Sequence, residues 1–203
     1  MKIAWLQDLD PLAEGGGAQF TDRTHIRRGF ARGHLIDLVI GEQWAGLQKN
    51  YDGVIVSNCY GMGKDYGAEA VQRIRSLGMK YLMFFHDYPC KWRLHWPQQK
   101  RCKECFLRDS LLPLFLGAEL IIWLSPLHRK ATLYVYPELR KKKYLLCPSP
   151  VDTKQFYDMG KPRSGAIAVN AMASFKGRDR FIAYCNENPD MIVTLVGAPE
   201  DDG

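Results

Sequence analysis

Cysteine and histidine residues cluster in the middle of the chain, in the order Cys90, His95, Cys102 and Cys105. The last two form a C-x-x-C pair. Thiolate and imidazole are ligands that Zn²⁺ takes in tetrahedral sites, and a bound ion would stabilise a loop with little core of its own. His86 competes with His95 as the fourth ligand, while free buried thiols or a redox pair are the alternatives. We expect a structural zinc site here.

Aromatic and basic side chains are interleaved in the same stretch. We assign Trp92, Arg93 and Arg101 to acceptor binding, because a ring can stack on a sugar or a base while a guanidinium contacts phosphate. The alternative is that these residues form the small packing cluster of the loop itself.

The excess of positive over negative charge lies in the middle of the chain. Between His86 and Lys143 there are 12 Lys and Arg against 5 Asp and Glu, a local charge of +7 in a chain whose net charge is +6. Such a segment suits phosphate, phospholipid or nucleic acid, although a solvated surface is the commoner explanation of a charge run.

A glycine tract at residues 15–17 lies between the first predicted strand and the first predicted helix. Backbone N–H groups at such a position can hold a phosphate, or the tract is simply a tight turn. A dinucleotide fingerprint requires glycine three residues after Gly17, where this chain has Phe20, so NAD binding is disfavoured.

Short apolar runs that favour β structure alternate with helical segments, which is typical of a parallel sheet built from βαβ units. The predicted strands are 2–6, 35–40, 54–57, 81–85, 120–124 and 144–147. The predicted helices are 18–31, 66–77, 106–116 and 126–134. We therefore predict an α/β fold, with a Rossmann-like parallel sheet and helices on both of its faces.

Prolines between residues 148 and 162 mark a linker at 149–164. The first domain then covers 1–148 and carries the cysteine-rich, basic insertion at about 86–108. Beyond the linker, two predicted strands flank one helix, which makes one more βαβ unit. Because so few elements leave most of a parallel sheet uncovered, we expect 165–203 to be the start of a truncated second domain.

The composition is that of a globular protein. Of its 203 residues, 46% are hydrophobic and 25% charged, which excludes disorder, collagen and coiled coil. No apolar run reaches the ~20 residues of a membrane span, and the amino terminus turns acidic too early for a signal peptide. We expect a soluble cytoplasmic protein, with the basic segment able to hold it at a membrane surface.

Read in order, several stretches resemble family-4 retaining glycosyltransferases of the GT-B fold. They are GGGAQ, ARGHLIDLVI, YDGVIVSN, HDYPC, LSPLHRKA, CPSPVDTKQF, SFKG and VTLVGAP. Enzymes of that family have two facing Rossmann-like domains, the first mainly for the acceptor and the second mainly for the nucleotide-sugar. The resemblance implies sugar transfer with retention and no cofactor for the chemistry, and it makes 165–203 the start of a donor-binding domain.

The resemblance also implies roles for individual residues of the first domain. Gly16 and Gly17 match the glycine loop that meets the diphosphate or sugar of the donor. His86 matches a histidine that points into the cleft near the transferred sugar, and Asp87 could orient it. Alternatively, His86 caps the strand or serves the cysteine cluster.

In the second domain, Lys176 and Gly177 match the loop whose lysine neutralises the departing diphosphate. The family pattern places an arginine five residues earlier, where this chain has Ala171, unless Arg178 or Arg180 substitutes for it.

The sequence thus predicts a glycosyltransferase, or its amino-terminal portion, that transfers a sugar from a nucleotide-sugar. The acceptor is left open between a glycan, a lipid-linked glycan and a modified nucleic acid. The rival hypothesis is a non-catalytic module that binds an anionic polymer, nucleic acid or lipid surface through the basic segment.

Overall fold

The computed structural model of the chain describes residues 1–13, 17–57, 67–86, 106–150, 166–169 and 178–196. The chain divides into two compact units, Met1–Val151 and Asp152–Gly203. The first unit contains a sheet of six strands and the second a sheet of two.

The sheet of the first unit is parallel throughout. Its strands are β1 Lys2–Gln7, β2 Leu35–Ile40, β3 Gly53–Ser57, β4 Tyr81–Phe85, β5 Leu120–Trp123 and β6 Tyr144–Leu146. Their spatial order is β2-β1-β3-β4-β5-β6. The chain passes from β1 to β2 on one side and returns to β3 on the other, so the order reverses at β1. Ligands of open parallel sheets bind outside the carboxyl ends of the strands at such a point.

Four α-helices flank this sheet. They are α1 Gly17–Ala31, α2 Gly67–Ser76, α3 Phe106–Gly117 and α4 Pro126–Val135, and short 3₁₀ helices cover Gly41–Gly46 and Pro137–Lys141. Side chains of α2, α3 and α4 share one hydrophobic core with one face of the sheet, here called the three-helix side. Helix α1 packs on the opposite face, here called the α1 side. The predicted α/β sheet with helices on both faces is therefore confirmed.

Large aromatic residues fill the three-helix side. Phe115 of α3 lies with its ring centroid 4.8 Å from Phe85 and 5.9 Å from Trp123. All three side chains are almost completely buried. Helix α4 begins as predicted at Ser125, whose hydroxyl accepts a hydrogen bond from the backbone N–H of His128 at 3.0 Å. Aromatic rings of this size dominate the hydrophobic stabilisation of a core, so this side carries most of it.

The α1 side has a smaller apolar core, in which Ile26 packs with Trp5, Ile36 and Phe84. Gly29 allows α1 to lie close to β2, because a Cβ atom at this position would come within 2.5 Å of Ile36 Cδ1. The contact is with the end of the Ile36 side chain, so Gly29 leaves room for Ile36 between α1 and the sheet.

The described residues of the second unit contain β7 Ala166–Val169, α5 Arg178–Glu187 and β8 Val193–Val196. Its two strands are parallel, as the predicted βαβ unit requires. Within the described part of the chain, no helix combines the length and the apolarity needed to cross a membrane.

The predicted elements agree with the structure to within one residue at each end. Helix α3 begins at Phe106, as predicted, so the last residues of the expected insertion at about 86–108 belong to its first turn.

Candidate functional site

Three polar side chains occupy the carboxyl ends of adjacent strands at the point where the strand order reverses. Gln7 is the last residue of β1, Ser57 is the last residue of β3, and His86 follows β4 directly. Each lies two residues after an apolar residue of the α1 side, and side chains two apart in a strand point to the same face. The three are therefore directed toward α1.

Asp22 of α1 joins two of these side chains in a cluster. Its Oδ1 lies 2.9 Å from His86 Nε2, and its Oδ2 accepts a hydrogen bond from the Ser57 hydroxyl at 2.7 Å. Ser57 Oγ is also 3.2 Å from His86 Nε2. The Asp22 side chain has no exposed surface and that of His86 is 3% exposed. A buried carboxylate is tolerated because it receives hydrogen bonds of this kind.

The Asp22–Ser57–His86 cluster also fixes the chemistry of the imidazole. A carboxylate can only accept, so Nε2 of His86 carries a proton that it donates to Asp22. In the neutral ring, Nδ1 is then the acceptor, suited to a hydroxyl proton. The ring of Phe84 packs against the imidazole of His86, with the two ring centroids 4.2 Å apart. The imidazole is thus fixed in tautomer and orientation.

The amino-terminal part of α1 is polar on its buried side. Gln19, Thr21 and Asp22 are all buried. Thr21 Oγ1 lies 3.1 Å from the carbonyl oxygen of Gly17 and 3.2 Å from Ser149 Oγ, beyond β6. These contacts hold the first turn of α1, whose free backbone N–H groups are suited to an anion. A Cβ atom at Gly17 would meet nothing within 4 Å, so the space beside this turn is open.

His25 follows Asp22 by three residues in α1, so it lies about one helical turn farther along the helix. Burial lowers the pKa of this imidazole below its ordinary value of 6.5, Asp22 opposes the shift, and the proximity of His86 and Arg28 adds to the decrease. Its ring meets Phe84 edge-on at 5.3 Å, and Nε2 is 3.9 Å from Cys147 Sγ. The surroundings of His25 therefore favour its neutral form beside the cluster.

A cavity of about 360 Å³ runs along the other end of α1. Its floor is the apolar surface of the sheet, including Trp5, Ile55 and Ile122, and its rim includes Arg28 and Arg32. The Asp22–Ser57–His86 cluster does not line this cavity.

Three of the predicted site residues lie among the described residues. His86 belongs to the cluster, Gly17 is the first residue of α1, and Arg178 is the first residue of α5. The others lie outside the described residues, and their roles stay predictions: Gly16, Asp87, Cys90, Trp92, Arg93, His95, Arg101, Cys102, Cys105, Lys176 and Gly177. Among the residues that are described, no group of three His, Cys, Asp or Glu is placed to hold a metal ion.

Sequence reasoning missed Gln7, Asp22 and Ser57. In the structure Asp22, 64 residues earlier, contacts the ring of His86. The predicted contribution of the adjacent Asp87 stays a prediction, because Asp87 lies outside the described residues. Two signals were available. Gln7 and Ser57 end otherwise apolar strands on the same face as buried apolar residues, and Asp22 precedes the buried Ile26 by one helical turn.

Comparisons with known proteins identify a fold and no family. No protein-family model matches the chain, and neither does any curated protein sequence. Among solved structures, the chain is similar to an alpha-glucosyltransferase in complex with UDP-glucose and DNA containing an abasic site. The TM-score is 0.56 at 12% sequence identity, over 96% of this chain and 56% of that one. The chain thus spans little more than half the length of that enzyme. The likeness shows a GT-B glycosyltransferase-like fold and does not single out family 4.

Proposed function

We propose that the chain is the acceptor-side part of a glycosyltransferase that transfers a sugar from a nucleotide-sugar with retention of configuration. The observation that carries the proposal is the buried Asp22–Ser57–His86 cluster, at the carboxyl ends of the strands where the strand order reverses. The likeness to a glucosyltransferase with bound UDP-glucose supports it at the level of the fold.

The cluster suits the sugar of such a donor. His86 can accept a hydrogen bond from a sugar hydroxyl at Nδ1, while its Nε2–H donates a hydrogen bond to Asp22. Asp22 is hydrogen-bonded to the imidazole of His86. Its negative charge also favours positive charge developing at the anomeric carbon as the bond to phosphate breaks. Fixed groups of this kind need no reorganisation during the reaction.

The diphosphate needs different partners. The first turn of α1 at Gly17 supplies free backbone N–H groups, and Gly16 precedes it. The resemblance also implies Lys176, Gly177 and Arg178 as contacts of the diphosphate, with Lys176 neutralising the charge that develops on the leaving group. Ala171 stands where a second cation would be expected, which makes Arg178 its substitute in this proposal.

For the acceptor, we propose nucleic acid ahead of a glycan or a lipid-linked glycan. The similar glucosyltransferase is bound to DNA, and the segment from His86 to Lys143 carries a local charge of +7. Trp92, Arg93 and Arg101 in that segment are the proposed acceptor contacts, because they combine stacking surfaces with phosphate-binding groups.

The same basic segment favours a second candidate, a module that binds an anionic polymer without catalysis. The absent arginine at Ala171 is consistent with it. The two candidates differ in what the α1 side binds: the glycosyltransferase requires a nucleotide-sugar there, and the module does not.

The deciding experiment titrates a panel of nucleotide-sugars, beginning with UDP-glucose, into the chain and into His86→Ala. We expect one member to bind, and we expect the variant to bind it about tenfold more weakly or worse, because a fixed hydrogen-bonding group is lost. His34→Ala, at the opposite end of the sheet, is the control and should bind normally. If the chain binds DNA but binds no member of the nucleotide-sugar panel, the proposal is overturned in favour of the module.

Transfer itself is measured on the longest natural form of the protein. We expect the glycosylated product to keep the anomeric configuration of the donor, as read by NMR of the product. An inverted product would contradict the proposed retaining reaction.

The zinc site is tested separately. If Cys90, His95, Cys102 and Cys105 bind Zn²⁺, protein purified without added metal should contain close to one equivalent, and Cys102→Ser should lose it. Less than about a tenth of an equivalent in the unmodified protein would contradict the site.

A further inference from the structure

Gln7 is a buried residue whose side chain has no hydrogen bond within the described part of the chain. It ends β1, at the point where the strand order reverses, and is 1% exposed. Neither Oε1 nor Nε2 of its carboxamide has a partner there. Buried polar atoms are hydrogen-bonded in the great majority of cases, so an amide lacking both partners at a ligand-binding edge requires an explanation.

The position of Gln7 relates it to the Asp22–Ser57–His86 cluster. The register of β1 and β3 pairs Leu6 with Val56, so the next residues, Gln7 and Ser57, end neighbouring strands side by side. Both point to the α1 side. Gln7 therefore extends the row of polar groups that continues through Ser57 to His86.

The chemistry of this row selects a kind of ligand. It offers a carboxamide, a hydroxyl and an imidazole, and its one charged member, Asp22, is negative. Such a set repels phosphate and suits uncharged hydroxyl groups. A carboxamide presents an acceptor oxygen and a donor nitrogen side by side, so it can hydrogen-bond two neighbouring hydroxyls of a sugar ring at once.

We propose that Gln7 is a sugar-recognition residue, whose Oε1 accepts and whose Nε2 donates hydrogen bonds to hydroxyls of the sugar carried by the nucleotide donor. The proposal rests on the proposed function and adds to it the group that distinguishes the sugar from the rest of the donor. A site built to hydrogen-bond a hydroxyl discriminates strongly against ligands without one, because its own buried groups are then left unpaired.

The test compares Gln7→Leu with the unmodified chain, using UDP-glucose and UDP as the two probes in calorimetric titrations. Leucine keeps a similar volume and removes both polar atoms. We expect the affinity for UDP-glucose to fall about 3- to 10-fold while the affinity for UDP is unchanged. Gln72→Leu, the same change at an exposed position of α2, is the matched control and should leave both affinities alone.

Thermal unfolding of the same variants separates recognition from structure. Because Gln7 has no partner in the described fold, Gln7→Leu should keep or raise the unfolding midpoint. A lower midpoint with unchanged UDP-glucose affinity would overturn the proposal and make Gln7 structural.

Equal losses for UDP-glucose and UDP would also overturn the proposal, since the contact would then be to the nucleotide. If Gln7→Leu binds UDP-glucose as the unmodified chain does, the assignment of Gln7 fails while the proposed function stands. If the unmodified chain binds neither UDP-glucose nor any other nucleotide-sugar, both fail together.

Discussion

The two faces of the six-stranded sheet differ in what they bury. On the three-helix side, Phe85, Phe115 and Trp123 form a continuous aromatic core. On the α1 side, the apolar core is small and gives way to polar groups at the carboxyl ends of the strands. Seven polar or charged residues are buried in the described part of the chain, and five of them belong to this region: Gln7, Gln19, Thr21, Asp22 and Ser57.

This difference shows how one sheet can separate stability from chemistry. Buried polar groups contribute little net stability and are costly when unpaired, whereas aromatic burial is the main stabilising contribution. One face can therefore carry a costly polar cluster because the other face supplies the stabilisation. We therefore expect substitutions on the three-helix side to affect folding and substitutions on the α1 side to affect binding.

The largest effect is expected from Phe115→Ala. Removing a fully buried ring from the three-helix side should lower the free energy of unfolding by about 3–5 kcal/mol, since the cavity it leaves is lined by rings that cannot close it. Urea unfolding measures the change. If the free energy of unfolding falls by less than about 1 kcal/mol, the three-helix side does not carry most of the stability, and the proposed difference between the two faces is contradicted.

Asp22→Asn should act mainly on binding. The amide can accept at its oxygen only, so either the Nε2–H of His86 or the hydroxyl of Ser57 loses its acceptor. We expect the affinity for UDP-glucose to fall about 10- to 100-fold. Asp37→Asn removes a carboxylate from an exposed ion pair with Lys2 and serves as the matched control. Equal affinities for Asp22→Asn and its control would contradict a role of the cluster in the site.

Gly29→Val tests whether the height of α1 positions the cluster. The added methyl groups would meet Ile36 and displace the helix, costing about 1–2 kcal/mol and weakening UDP-glucose binding as well. Gly46→Val, where a Cβ atom meets nothing within 4 Å, is the control. Unaltered binding in a destabilised Gly29→Val protein would show that the site does not depend on this packing.

The smallest effect concerns pH. Burial lowers the pKa of His25 below 6.5, so the unfolded chain binds more protons than the folded one as the pH falls through that value. The free energy of unfolding should therefore decrease from about pH 7.5 to about pH 5.5, and by less in His25→Asn. Identical pH profiles would show that this imidazole is not desolvated by the fold. The effect is small because the ring is only half buried.

The two faces also differ in how far the sequence predicts them. Strand and helix periodicity predicts the sheet and all four helices of the first unit, because each apolar pattern reports local burial. His86 was found because the stretch HDYPC resembles a segment of family-4 glycosyltransferases in which a histidine follows a strand. The spacing of Asp22 to Ile26 indicates that Asp22 is buried, but its partners Ser57 and His86 could not be assigned, since they are distant from it in sequence. Contacts of this kind are tertiary, and a single sequence does not encode them as a pattern.

The most direct test of the central claim is a titration of UDP-glucose into ¹⁵N-histidine-labelled protein, observed by NMR. Both faces contribute a buried histidine: His86 on the α1 side and His128, stacked on Phe85, on the three-helix side. The account predicts that the ring nitrogen signals of His86 shift with saturation while those of His128 do not. A shift of His128 without His86, or no shift of either at saturating ligand, would contradict it.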